Sequence, residues 1–420
     1  MALALSACNL QQSQALWRTN GTAEGTSLVV RLPERVGASW APPVAVGREI
    51  FFLLNDGGND HVELWNSDGT AGGTGLVRDL SPSRASGGSL AGDPEAVAVG
   101  DTLFFVLEDP AHGSELWRSD GTADGTHLVR DIVPGPDGSA PRHLQSVGDR
   151  LLFFVGLRPT GPETRTFIEP GLWSSDGTSA GTQLLQAGIV KLRGSTDGHR
   201  GGLFLTADGL WRTDGTSAGT RRLTELSPVT GSCAAAIGDS LLARADVLYA
   251  IDASAGQPRS AQPIATIPGL CTDRFVPGGD STYFTSTRLD GTAELWRSDG
   301  TPAGTVLVRR FSHGLGRLTA MDSTVYFAAS TPETGTELWR TDGTPAGTRL
   351  VTDLIPGPKS GSQEHRIAFD GRLLFTSTAG LYTTDGTAAG TVRIHRGFHN
   401  ADFALLDGSA YWLRTELGSD

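Results

Sequence analysis

The chain has 420 residues, and its 56 glycines and 22 prolines are too many backbone breakers for a helical protein, while 38% apolar residues suffice for a packed core. The net charge of −12 is spread without blocks, which excludes the clustered Lys and Arg that nucleic acid or an anionic membrane surface would need. No apolar run approaches the roughly 20 residues of a spanning helix.

In chain order, the first segment is "MALALSAC". Leu5-Ser6-Ala7-Cys8 resembles a bacterial lipobox, although the basic region and most of the apolar region of a signal peptide are missing. The expectation is that residues 1–14 are a residual signal-like lead-in with Cys8 as the lipidation candidate. That implies an exported protein, at the cell surface, in the periplasm or secreted, whose membrane contact is limited to such an anchor.

Repeats follow. "ALWRTNGTAEGTSLVV" begins at Ala15, and related stretches begin at Glu63, Glu115, Gly171, Gly209, Glu294, Glu337 and Gly380. In all eight the aromatic residue lies nine positions before the second Gly-Thr threonine, as from Trp117 to Thr126. A decayed ninth copy starts at Val247, with Tyr249 in the aromatic place and no Asp-Gly-Thr. A catalytic loop occurs once per site, so nine copies describe a structural element. Between copies lies an apolar strand, a Gly-Asp turn and an aromatic strand, as in "EAVAVGDTLFFVL" from Glu95. One unit therefore reads as four antiparallel strands, recurring every 38 to 56 residues (Trp173 to Trp211, Trp117 to Trp173).

That unit size predicts an all-β fold, a single closed β-propeller of about nine four-stranded blades, with eight as the alternative if the Tyr249 unit is not a blade. Neighbouring apolar residues in "ELW" and "LFF" point to opposite faces, so both faces must be buried. The chain begins with the second half of a unit and ends with a first half, "FALLDGSAYWLR", and pairing these N- and C-terminal half-blades would hide the exposed edges. The propeller is assigned to residues 15–414, with 415–420 as a tail. Asp68, Asp120, Asp176, Asp214, Asp299, Asp342 and Asp385 are expected to stabilise the turns between third and fourth strands, with the turn glycines at positive φ. One carboxylate per turn falls short of the six to eight oxygens calcium takes. No Lys and no helix follow, as a phosphate loop requires. Trp17, Trp65, Trp117, Trp173, Trp211, Trp296, Trp339 and Tyr382 are expected in the core between blades.

With these residues in hand, the chain resembles the ELWxxDGT-repeat family of mostly exported bacterial proteins. It departs at Asn20, Tyr382 and the Tyr249 copy. The turn is similar to the Asp-box hairpin of sialidase-like propellers but lacks its S-x-D-x-G-x-T-W order. The resemblance implies a propeller outside the cytoplasm and implies no activity.

No catalytic constellation is visible. The nine histidines (His61, His112, His127, His143, His199, His313, His365, His395 and His399) show no metal spacing on a helix, and there is no G-x-S-x-G or C-x-x-C. Glu108, Asp109, Glu163 and Glu169 read as solvated loop charges. No cofactor or metal is expected. Because the repeat is regular, the expected function is a non-catalytic binding or scaffold propeller, a monomer presenting loops to a protein or glycan. Residues 156–170 are its most distinctive loop. The alternative is a carbohydrate-active enzyme, glycosidase- or lyase-like, with a site at the propeller mouth. Cys233 and Cys271 precede the Gly-Asp hairpins of adjacent units and form either a disulfide or two buried thiols.

Overall fold

The computed structural model describes residues 12–33, 42–55, 61–81, 84–85, 96–156, 170–188, 202–206, 209–224, 233–237, 240–244, 247–252, 262–271, 275–361, 365–396 and 402–417. Cys8, Glu163, Glu169 and residues 157–169 lie outside them. No helix occurs among the described residues. Instead the chain forms nine antiparallel sheets. Each is built mainly from strands consecutive in sequence and is named here for its motif aromatic. The Trp65 sheet is representative, with strands Val44–Val46, Glu49–Asn55, Val62–Ser67 and Thr74–Asp79. Eight of the nine hold at least four strands. Among the described residues the Trp211 sheet holds three, Gly202–Thr206, Gly209–Thr213 and Arg221–Thr224. The decayed repeat makes a four-stranded sheet of its own around Val247–Asp252. In the Trp17 sheet, Gln12–Thr19 pairs with Ser409–Leu417 over eight residue pairs, from Gln12 opposite Leu417 to Thr19 opposite Ala410.

All nine sheets share one irregularity. The pairing of third and fourth strands slips between the motif leucine and the motif aromatic, for example between Leu116 and Trp117. Leu116 faces Arg130 and Trp117 faces Leu128, so Val129 is an extra residue in the outer strand. Such a bulge bends the strand and increases its twist. The extra residue also turns an apolar side chain inward, since Val129, Leu223, Val308, Val351 and Ile394 are all buried. The Tyr249 copy keeps the slip, between Leu248 and Tyr249, although its Asp-Gly-Thr turn is gone.

Among the described side chains, apolar contacts join each sheet to the next except at the junction of the Trp211 and Tyr249 sheets. Leu16 and Leu413 pack with Phe52 and Leu54, Phe51 and Leu64 with Phe105 and Leu107, and Leu116 and Val129 with Phe153. Phe154 and Leu172 pack with Trp211, and Leu248 and Ile267 with Phe275 and Phe284. Leu295 and Val308 meet Phe327, Leu338 and Val351 meet Phe375, and Leu381 and Ile394 meet Trp412. Strand Gly202–Thr206 also lies against Cys233–Ile237 of the Tyr249 sheet.

The motif aromatics are not the deepest part of this core, which corrects the expectation from sequence. Trp339 and Tyr382 are buried, but Trp17, Trp65, Trp117, Trp173, Trp211 and Trp296 are only half-buried at the margins of the clusters. Full burial belongs to the second-strand aromatics directly opposite them. These are Phe52, Phe105, Phe153, Phe284, Phe327 and Phe375, each at most 2% exposed. Phe52 lies nearly parallel to Trp65 (6.5 Å, 12°) and Phe284 to Trp296 (6.5 Å, 10°), so the indole covers the phenyl ring.

Candidate functional site

The two ends of each sheet carry different chemistry. At one end are the Asp-Gly-Thr turns. Asp120 Oδ1 accepts from the Thr122 backbone N–H (3.0 Å) and from Thr122 Oγ1 (2.7 Å), and Thr122 Oγ1 in turn accepts from Gly125 N (3.0 Å). Asp68, Asp176, Asp214, Asp299, Asp342 and Asp385 make the same Oγ1 contact at 2.7 Å, and Asn20 substitutes at 2.8 Å. The side-chain hydrogen bond from the threonine is the main reason these carboxyl groups are held below the ordinary aspartate range. Ser119, which the sequence reading passed over, completes the turn. Its buried Oγ lies 2.7 Å from Thr126 Oγ1 and accepts from Gly121 N.

The glycines of this turn differ from expectation. Gly121 has φ of 90°, but Gly125 does not have a positive φ. It is glycine because a Cβ there would lie 1.9 Å from Asp120 Oδ1. Turn carbonyls also receive arginines from the preceding sheet. Arg130 Nη1 donates to Thr182 O (2.6 Å) and Arg309 Nη1 to Thr348 O (2.9 Å). The Oδ1 of each turn aspartate is thereby committed to the turn's own threonine.

At the opposite end, where the second strand turns into the third, sits the glutamate that precedes the motif Leu-Trp. Glu63, Glu115, Glu294 and Glu337 are at most 2% exposed. Each has different company. Glu294 is paired with two arginines, Arg288 Nε at 2.8 Å and Arg310 Nε at 3.0 Å, and accepts from Trp296 Nε1. Burial opposes its charge, yet the bonds from Arg310, Trp296 and Arg288 prevail and hold it below the ordinary glutamate value. Glu115 meets only neutral donors: Val133 N (3.0 Å), Ser139 N (2.9 Å) and Ser139 Oγ. Burial dominates there and pushes its carboxyl up from 4.5 to about 7. Glu337 accepts from Ile355 N.

Glu63 differs again. It accepts from Trp65 Nε1 (2.9 Å) on Oε2, while Oε1 lies 3.2 Å from His61 Nε2. The other imidazole nitrogen, Nδ1, lies 2.7 Å from Ser81 Oγ. Residues two apart on a strand share a face, which brings His61, Glu63 and Trp65 together. Leu80 N donates to Val62 O (2.9 Å) and Ser81 N to Asp79 Oδ1 (2.9 Å), and these bonds place Ser81 over the ring. A carboxylate only accepts, so the proton on the ring belongs at Nε2 and the lone pair at Nδ1 faces the serine hydroxyl. A hydroxyl, a base and a buried group orienting that base therefore lie in one hydrogen-bonded line. His61 remains 34% exposed, so the line opens to solvent.

No helical histidine spacing marks this trio in the sequence; its signal is His61-x-Glu63 at strand period with Ser81 just past the end of the adjacent strand. Corresponding positions in the Trp117 sheet hold Gly113 and Val133, so the trio interrupts the repeat. Among the other charged residues singled out, Asp109 bonds His112 Nδ1 (2.9 Å) rather than standing free in solvent. Among the described residues no group of three or more His, Cys, Asp or Glu is arranged to hold a metal ion. Cys233 and Cys271 begin and end the innermost strands Cys233–Ile237 and Leu270–Cys271 of consecutive sheets.

No family model and no curated protein matches the chain. Solved structures do. A puromycin hydrolase is 17% identical (TM-score 0.43, covering 81% of this chain and 58% of that one). A prolyl endopeptidase is 14% identical (TM-score 0.45, covering 82% and 54%). AztD from Citrobacter koseri is 11% identical (TM-score 0.45, covering 96% and 98%). The chain spans little more than half the length of the two hydrolytic proteins. The fold is propeller-like. The expected non-catalytic binding or scaffold propeller, with its carbohydrate-active alternative, is overturned at this point. The structures this chain is similar to include a puromycin hydrolase, a prolyl endopeptidase and an acylaminoacyl peptidase.

Proposed function

We propose that the nine sheets close as the blades of one propeller and that the chain is a hydrolase of acyl bonds, with Ser81 as nucleophile, His61 as base and Glu63 as the group that orients it. Closure is supported by the sheet-to-sheet packing, which runs from the Trp17 sheet through the Tyr382 sheet and back, and by the pairing of Gln12–Thr19 with Ser409–Leu417. The activity rests on one observation, the 2.7 Å approach of Ser81 Oγ to the His61 nitrogen left free by Glu63.

In the reaction, Ser81 Oγ attacks the carbonyl carbon of an ester as its proton passes to His61 Nδ1, and Glu63 stabilises the imidazolium. Collapse breaks the bond to the leaving alcohol, which takes that proton. Water, deprotonated by the same nitrogen, then hydrolyses the acyl-serine and returns the enzyme to its starting state. A fluorophosphonate probe followed by peptide mass mapping tests the assignment. One adduct on Ser81, lost in Ser81→Ala together with turnover of a p-nitrophenyl ester, is expected. An unlabelled wild-type protein, or labelling that survives Ser81→Ala, overturns it.

A further inference from the structure

Glu115 sits at the end of its sheet where the chain leaves His127–Arg130 and crosses to Arg142–Val147 of the next sheet. All three of its donors come from that connection, from Val133 and Ser139. The same crossing is pinned by backbone as well. Ala140 N donates to Ser114 O (2.9 Å), Ser114 and Gly138 form an isolated bridge, and a Cβ on Gly113 would meet Gly138 N at 2.5 Å. The glutamate is therefore the single side chain through which residues 133 and 139 are both held to the third strand.

Unlike Glu294, it has no arginine. The charged groups around it are Asp131 and Asp137 on the connection and the His112–Asp109 pair at the hairpin before its strand. Asp131 adds a like charge, and its own Oδ1 is buried without a donor. His112 is near enough to be influenced by the charge of Glu115, and its ring is engaged by Asp109 through Nδ1 at 2.9 Å. The three donors to Glu115 favour the charged carboxylate, but at 0% exposure and with no arginine the cost of burying that charge prevails and favours the proton.

We propose that Glu115 is a proton-operated latch on the connection formed by residues 131–140. With the proton bound, the carboxyl accepts both amide hydrogens on one oxygen and exchanges a hydrogen bond with the Ser139 hydroxyl on the other. Loss of the proton leaves a buried charge beside Asp131, and opening of the connection relieves it by admitting water. The latch lies at the same end of the sheets as Ser81, His61 and Glu63, and its argument does not depend on their chemistry.

Hydrogen exchange of the Val133 and Ser139 amides, corrected for intrinsic rate, reads the opening directly. Protection is expected to fall by about a hundredfold between pH 5 and pH 8. In Glu115→Gln, whose amide keeps the same acceptor and offers a donor to Ser139 Oγ, it should stay level. Level protection in the wild-type protein overturns the proposal, as does an undiminished pH dependence in Glu115→Gln. The carboxyl carbon of Glu115, followed by NMR in the wild-type protein, gives a second reading that needs no variant. Titration in the ordinary glutamate range overturns the latch.

Discussion

At the turn end of the sheets, seven aspartates do the same thing with the same partners at nearly the same distances. At the other end, glutamates at one repeat position have different surroundings: histidine and tryptophan for Glu63, neutral donors for Glu115, two arginines for Glu294. The difference follows from where the partners originate. The bonds among the aspartate, threonines and glycines of the turn close within the motif, so every intact copy carries them. The glutamate is satisfied by the hairpin and the inter-sheet connection, which the motif does not include. A repeated residue therefore acquires individual chemistry wherever its partners lie outside the repeat.

That contrast is broken or sharpened by four measurements. The largest effect is expected at Glu63. Glu63→Gln removes the negative charge that stabilises the His61 imidazolium and adds an amide donor that favours the wrong tautomer, and it should slow fluorophosphonate labelling of Ser81 by about a thousandfold or more, while Asp120→Ala leaves the rate unchanged. Equal rates in all three proteins would erase the distinction between the ends. Next, Phe105→Ala should cost about 3–5 kcal/mol in chemical denaturation, because the ring is fully buried, and half-buried Trp117→Ala should cost less. The reverse order would restore the motif aromatics to the centre of the core.

A smaller effect belongs to Glu115. Its carboxyl is raised in the folded protein, chiefly by burial, so the unfolded chain loses that proton first as pH rises. The contribution of Glu115 is fully present below pH 4.5, declines through about pH 7 and levels off, a total of about 3 kcal/mol by linkage. Glu115→Gln should flatten that interval in pH-dependent melts. The smallest effect is at the turns, where Asp120→Ala should cost about 1 kcal/mol. The turn aspartates run the opposite way, because their carboxyl groups are lowered on folding. Their contribution is present above the ordinary aspartate value and is lost as pH falls below it.

Much of the fold was legible because it is local. The spacing from Trp117 to Thr126 marks a hairpin, the "LFF" runs mark strands buried on both faces, and the half-units at either end predicted the pairing of Gln12–Thr19 with Ser409–Leu417. What escaped depends on register. That Phe105 rather than Trp117 is buried follows from its place inside the cluster shared with Phe51 and Leu64 of the Trp65 sheet, at whose margin Trp117 lies. The inward turn of Val129 follows from a one-residue slip that no residue type announces. Ser81 and His61 are twenty positions apart, and the pairing of Glu63 with Asp79 and the bond from Leu80 N to Val62 O bring them together.

The pairing of Gln12 with Leu417 has a mechanical consequence. The two strands are antiparallel, so the chain enters and leaves this sheet at the same end. Tension applied through the preceding and following segments would peel the eight rungs one at a time rather than load them together in shear. During synthesis the strand Gln12–Thr19 also stands with one open edge until residues 409–417 emerge, so this sheet is completed only after the eight sheets between them have been made.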